Sequence, residues 1–75
     1  MKNNIKELRK EKGITQEELA LEMRVTRQTI ISLENGKYNA SLLLAYKLSR
    51  FFNTSIEKIF VFEEEWFYEK ESQYE

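Results

Sequence analysis

The sequence predicts an all-α domain of five short helices. Three observations carry that reading. Thr15, Thr26 and Ser41 each stand immediately before a helical apolar pattern, as N-cap residues do. Gly13, Asn35-Gly36 and Asn53 stand where those patterns stop. Between them, Leu and aromatic residues recur at helical spacing, most densely from Leu42 to Phe52.

The elements follow in order. Helix 1 is expected over residues 4–12, with Ile5, Leu8 and the stem of Lys12 on one face and Lys6, Glu7, Lys10 and Glu11 outward. Gly13 ends it. Helix 2 opens on Thr15-Gln16-Glu17-Glu18, a capping box in which threonine and a glutamate three residues on satisfy each other's backbone N–H. Ile14 and Leu19 match the hydrophobic staple around that cap, and Leu19, Ala20 and Met23 form the buried stripe. The helix is expected to stop near Met23 or Arg24. Helix 3 follows the cap Thr26, with Val25 and Ile30 as a second staple and Asn35-Gly36 as its stop. After a short loop of Lys37, Tyr38, Asn39 and Ala40, Ser41 caps helix 4. Its spacing of Leu42, Leu43, Leu44, Ala45, Tyr46 and Leu48 predicts the central core helix. Thr54 and Ser55 offer a cap for a short helix 5 over residues 56–60.

Composition narrows the function classes. The 75 residues suit one domain. There is no Cys, His or Asp, so disulfides, thiolate or imidazole metal sites and Ser-His-Asp chemistry are absent. A chain of this length has little room for a walled pocket of the usual size, about 300 Å³ upward. The reading is therefore non-enzymatic, with no cofactor. No apolar run approaches the roughly 18 residues a membrane helix needs, and no apolar signal core follows Met1. A cytoplasmic protein with no membrane partner is expected. The net charge of −1 conceals an asymmetry: residues 1–60 hold eleven Lys or Arg against seven Glu, and residues 61–75 hold one against six. A basic body carries an acidic tail, which permits phosphate binding on the body and points the tail away from it.

The segment 15–35 bears the functional signal. Two capped helices separated by a few residues must meet at a tight angle, with small Ala20 at the crossing and apolar Val25 plugging the turn. This is the helix-turn-helix arrangement, with helix 3 placed to enter a DNA groove. Arg27 and Gln28 lie at the N-terminal end of that helix. Arginine can bond bidentately to guanine, and glutamine to adenine. Thr29 and Ser32 are short donors suited to phosphate or a base edge. Gln16, in the first turn of helix 2, is placed for a backbone phosphate, aided by the free N–H groups there. Lys37, Tyr38 and Asn39 offer further backbone donors.

The runs Ile14-Thr15-Gln16-Glu17-Glu18-Leu19-Ala20, Val25-Thr26-Arg27-Gln28-Thr29-Ile30 and Leu33-Glu34-Asn35-Gly36-Lys37-Tyr38-Asn39 resemble the Cro/C1-type (XRE) family of transcriptional repressors. The likeness spans about residues 4–60. It implies a five-helix lambda-repressor-like DNA-binding domain that meets operator DNA as a two-fold homodimer. By the same resemblance Gln16 meets phosphate, Arg27, Gln28 and Ser32 face the major groove, and the loop at Lys37, Tyr38 and Asn39 touches the backbone. The resemblance also implies a structural pair of Arg9 with Glu34. There are two departures. Ala40 stands where proline is usual, which returns freedom to the loop. Ile31 stands where a polar residue is usual, as a thymine-methyl contact or as a plain surface aliphatic.

Residues 1–62 are thus expected as the DNA-binding domain and 63–75 as an acidic aromatic tail. Phe60, Phe62, Trp66, Phe67 and Tyr68 are too many aromatics for a disordered end. Two arrangements would use them, singly or together. In one, residues 61–63 pair as a strand with residues 1–3; in the other, the aromatics form a dimer seam. The functional expectation is a sequence-specific regulator of transcription, a repressor that occupies a palindromic operator on double-stranded DNA. The competing expectation is an antitoxin-type or other protein-binding member of the same fold, whose tail grips a protein partner.

Overall fold

Local capping chemistry sets where each helix begins. The computed structural model describes residues 1–62 and places α1 at Ile5–Lys12, α2 at Gln16–Met23, α3 at Arg27–Glu34, α4 at Leu42–Phe51 and α5 at Ile56–Ile59. This is the expected all-α, five-helix, lambda-repressor-like arrangement. The expected tail, with Trp66, Phe67 and Tyr68, lies outside the described residues. At α2 the Thr15 hydroxyl accepts the Glu18 N–H at 3.1 Å, and the Glu18 carboxylate accepts the Thr15 N–H at 2.9 Å. Thr26 Oγ1 accepts the Thr29 N–H at 3.2 Å, and Ser41 Oγ accepts the Leu44 N–H at 3.1 Å. At two starts the N-cap side chain makes no capping bond. At α1 this is Asn4; the preceding Asn3 accepts the Ile5 N–H through its Oδ1 at 3.2 Å. Ser55 makes none at α5 either; the Lys58 and Ile59 N–H groups return to its backbone carbonyl.

The ends are set by backbone geometry. Gly13 and Gly36 take φ values of 71° and 73°. Gly36 is doubly constrained, since a Cβ there would come within 3.2 Å of the Met1 carbonyl oxygen. Arg24 and Asn53 also take positive φ, 59° and 52°. Asparagine tolerates that region; arginine does so at a cost of roughly 1–2 kcal/mol. Arg24→Gly is expected to raise the unfolding free energy by about 0.5–1 kcal/mol, part of the relief being offset by glycine's greater freedom when unfolded. Urea unfolding of the two chains measures this.

One core joins the helices: Ile5 from α1, Leu19, Ala20 and Met23 from α2, Ile30 and Leu33 from α3, Leu44, Ala45 and Leu48 from α4, then Phe52, Ile59 and Phe60. The expected apolar run of α4 divides between two faces. Three consecutive leucines span about 200° of helix circumference, so they cannot share one stripe. Leu44 turns inward with Ala45 and Leu48, while Leu42 is 83% exposed, Leu43 62% and Tyr46 54%. Lys47 Nζ reaches the Met23 carbonyl at 3.4 Å and ties α4 to the end of α2. The Lys12 ammonium lies 5.0 Å from the centre of the Phe51 ring, joining the end of α1 to α4.

No strand occurs among the described residues, so the expected two-stranded pairing of residues 61–63 with residues 1–3 is without support as far as residue 62, and residue 63 lies outside them. The two segments meet in a single antiparallel bridge between Asn3 and Phe60. Asn4 N–H donates to the Ile59 carbonyl at 2.7 Å and Val61 N–H to the Lys2 carbonyl at 2.9 Å. The helices α1 and α5 close the ladder on the side of Asn4 and Ile59, since helical backbone cannot continue it; on the other side the Met1 ammonium donates to the Gly36 carbonyl at 2.9 Å.

Candidate nucleic-acid interface

Among the described helices, α2 and α3 pack most extensively against each other. Only Arg24, Val25 and Thr26 separate them. The turn is held by Val25, whose N–H donates to the Ala20 carbonyl at 3.0 Å and whose side chain packs on the core. Ala20 is buried at the join. Ile30 and Leu33 are fully buried and fix the inward face of α3. The opposite face at its N-terminal end is thereby presented to solvent, with Arg27 and Gln28 exposed. Ser32 lies one turn beyond Gln28; Gln28 Nε2 sits 3.5 Å from Ser32 Oγ, the long limit of a hydrogen bond, so the two share a face. The Thr29 hydroxyl is 3.0 Å from that of Thr26 and is engaged in the cap of its own helix. Ile31 is half-buried.

Gln16 is the first residue of α2, and its side chain is not loose. Its Nε2 donates to Glu34 Oε1 at 3.1 Å. The same carboxylate takes two bonds from Arg9, Nε to Oε2 at 2.7 Å and Nη2 to Oε1 at 3.2 Å. Arg9 Nη1 donates in addition to the Ile14 carbonyl at 3.0 Å. The Glu34 and Arg9 side chains are only 3% and 11% exposed. One buried carboxylate therefore joins α1, α2 and α3. Beside it lies an open cleft of about 510 Å³ whose lining includes Arg9, Thr15, Gln16 and Arg27. The structure thus brings Gln16 and Arg27, expected to meet phosphate and base, to one rim.

Lys37, Tyr38 and Asn39 are exposed in the loop between α3 and α4. The loop is pinned where it leaves α3, with the Lys37 N–H donating to the Ser32 carbonyl at 3.0 Å. Ala40 packs partly on the core without the ring a proline would supply. Phe60 is buried in that core, and Phe62 is 42% exposed beside an apolar groove near the start of α4.

Sequence reasoning missed Asn3. Its Nδ2 donates to the Leu33 carbonyl at 2.7 Å while its Oδ1 accepts the Ile5 N–H, so one side chain ties the start of α1 to the last turn of α3. The only available signal was the Asn3-Asn4 pair ahead of an amphipathic run. Among the described residues, no group of three or more His, Cys, Asp or Glu is placed to hold a metal ion, and no helix is long and apolar enough to cross a membrane.

Two capped helices across a three-residue turn, with Arg and Gln presented from the first turn of the second, define a helix-turn-helix protein. Comparison with known proteins agrees. The helix-turn-helix family model matches residues 5–59. An HTH-type transcriptional regulator of Archaeoglobus fulgidus is 56% identical over 70 residues, 93% of this chain and 99% of the relative. One from Methanothermobacter thermautotrophicus is 52% identical over 66 residues, 87% of this chain and 96% of the relative. The HTH-type transcriptional regulator YgzD of Bacillus subtilis is 48% identical over 65 residues, 87% and 98% respectively. The chain belongs to the helix-turn-helix family of Cro/C1 (XRE) type and is a DNA-binding transcriptional regulator in general class.

Proposed function

We propose that the protein represses transcription by occupying a palindromic operator as a homodimer, with α3 in the major groove of each half-site. The observation that carries this reading is the pairing of roles at one rim: exposed Arg27 and Gln28 open α3, and Gln16 opens the adjacent α2. Arg27 and Gln28 have the chemistry to read guanine and adenine edges, and Ser32 lies on the face of Gln28. Gln16 and the loop donors Lys37, Tyr38 and Asn39 have the chemistry to hold phosphates and set register. Thr29, whose hydroxyl also meets that of Thr26 in the cap, is a further candidate for a backbone phosphate.

The homodimer reading is supported by apolar surface away from the rim. A groove of about 310 Å³ is lined mainly by apolar side chains, among them Ala40, Leu42, Ala45, Ile56 and Phe60. Leu42, 83% exposed, stands on the wall of this groove, so the same patch carries both an exposed apolar side chain and a recess, which suits a self-complementary two-fold interface. Sedimentation of the native chain and of Leu42→Glu tests this: a dimer that the charge dissociates is expected. A monomeric native chain would leave the groove to a protein partner of another kind, as in the antitoxin-type reading.

Selection of bound duplexes from a random pool, read at two salt concentrations, tests the function. An enriched palindrome with half-site centres about 34–36 Å apart, bound less tightly at the higher salt, is expected. Binding with no enriched sequence would refute the repressor reading.

A further inference from the structure

We propose that Glu34 is a positioning residue for DNA: it orients the Gln16 side chain so that one amide nitrogen bridges the buried carboxylate and a backbone phosphate. The proposal rests on the reading of Gln16 as a phosphate contact. An ionised carboxylate only accepts hydrogen bonds, so Gln16 must turn its nitrogen end, not its oxygen, toward Glu34. That nitrogen carries two N–H groups. One is held by Glu34 Oε1 at 3.1 Å; the second remains for another acceptor. A phosphate oxygen is such an acceptor. Without the carboxylate, the amide would have no partner on the protein to fix its position, and the phosphate contact would bear the full cost of ordering the side chain.

Two anions on either side of one amide would repel each other if the carboxylate were bare. Arg9 removes that conflict. Its guanidinium takes both carboxylate oxygens, at 2.7 and 3.2 Å, and the pair as a whole is neutral. The geometry also links two functions. Glu34 is the last residue of α3 and Gln16 the first of α2. The phosphate grip is therefore registered directly to the helix proposed to read bases, through side chains that are almost fully buried on the α3 side.

A double-mutant cycle tests this on the full chain, with a mixed-sequence DNA duplex at low salt as the probe, because a backbone contact does not depend on sequence. Removing Glu34 alone would leave Arg9 buried without a partner. The carboxylate is therefore removed together with the cation, as Arg9→Met/Glu34→Leu. In the native background Gln16→Ala is expected to weaken binding about tenfold, the loss of one charge-assisted hydrogen bond. In the Arg9→Met/Glu34→Leu background the same change is expected to cost less than about threefold, since an untethered amide has already lost most of its contribution. Equal losses in two folded backgrounds would overturn the positioning role while leaving Gln16 as a phosphate contact. No loss in the native background would overturn both. A measurement on the native chain needs no variant. By NMR, the Gln16 side-chain amide is expected to exchange with water more slowly than that of Gln28; equal exchange would also overturn the proposal.

Discussion

Arg9→Met is expected to destabilise the protein by about 3–5 kcal/mol, the usual cost of leaving one member of a buried ion pair without its partner. Three hydrogen bonds disappear at once, two to Glu34 and one to the Ile14 carbonyl. The Glu34 side chain, 3% exposed, would keep the Gln16 amide as its hydrogen-bond donor. A domain of this size has a total stability of about 5–15 kcal/mol, so the loss removes a large share of it. At about 4–8 °C per kcal/mol for small domains, the melting midpoint should fall by more than about 12 °C. The paired change Arg9→Met/Glu34→Leu is expected to recover most of that loss, because apolar replacements for a whole buried ion pair are often neutral or stabilising. Thermal unfolding of the three chains distinguishes these cases. A drop of under about 1 kcal/mol for Arg9→Met would mean that the pair is solvent-screened after all.

The second large effect falls on recognition. Replacing Arg27 and Gln28 together by alanine is expected to remove most sequence preference while leaving non-specific binding largely in place. Each bidentate contact carries about 1–3 kcal/mol of discrimination, so losing two lowers the ratio of specific to non-specific affinity by about 30-fold or more. The fold should survive, since both side chains are exposed on the face of α3 away from Ile30 and Leu33. The measurement is competition between a selected operator and mixed-sequence duplex for native and doubly substituted protein. A proportional loss of both affinities would make these residues phosphate contacts instead of readers.

The parts legible in the sequence are those set by neighbours along the chain. Thr15 with Glu18, Thr26 with Thr29 and Ser41 with Leu44 act over three residues, and their signals are visible in any local window. The buried faces of α2 and α3 follow equally from period. What was not legible depends on partners far apart in the chain. Gln16 looks like a free polar residue until Glu34, 18 positions away, is seen to hold it. Asn3 looks like a helix start until the Leu33 carbonyl, 30 positions away, is seen to take its amide. The split of Leu42, Leu43 and Leu44 between solvent and core needs the angle at which α4 meets its neighbours, which no run of leucines encodes. The single bridge at Phe60 is a similar case, because Met1 at its open end is bonded to the Gly36 carbonyl, 35 positions away. Arg24 carries no marker at all for the left-handed backbone it adopts.

The central claim is that α3 lies in the major groove and reads bases there, and dimethyl sulfate footprinting of a selected operator tests it most directly. Guanine N7 opens only onto the major groove, whereas adenine N3 opens onto the minor groove. Protection of guanine N7 in two patches about one helical turn apart is the predicted result, and loss of that protection on Arg27→Ala should accompany it. Unchanged N7 methylation, with protection confined to adenine N3, would contradict the claim.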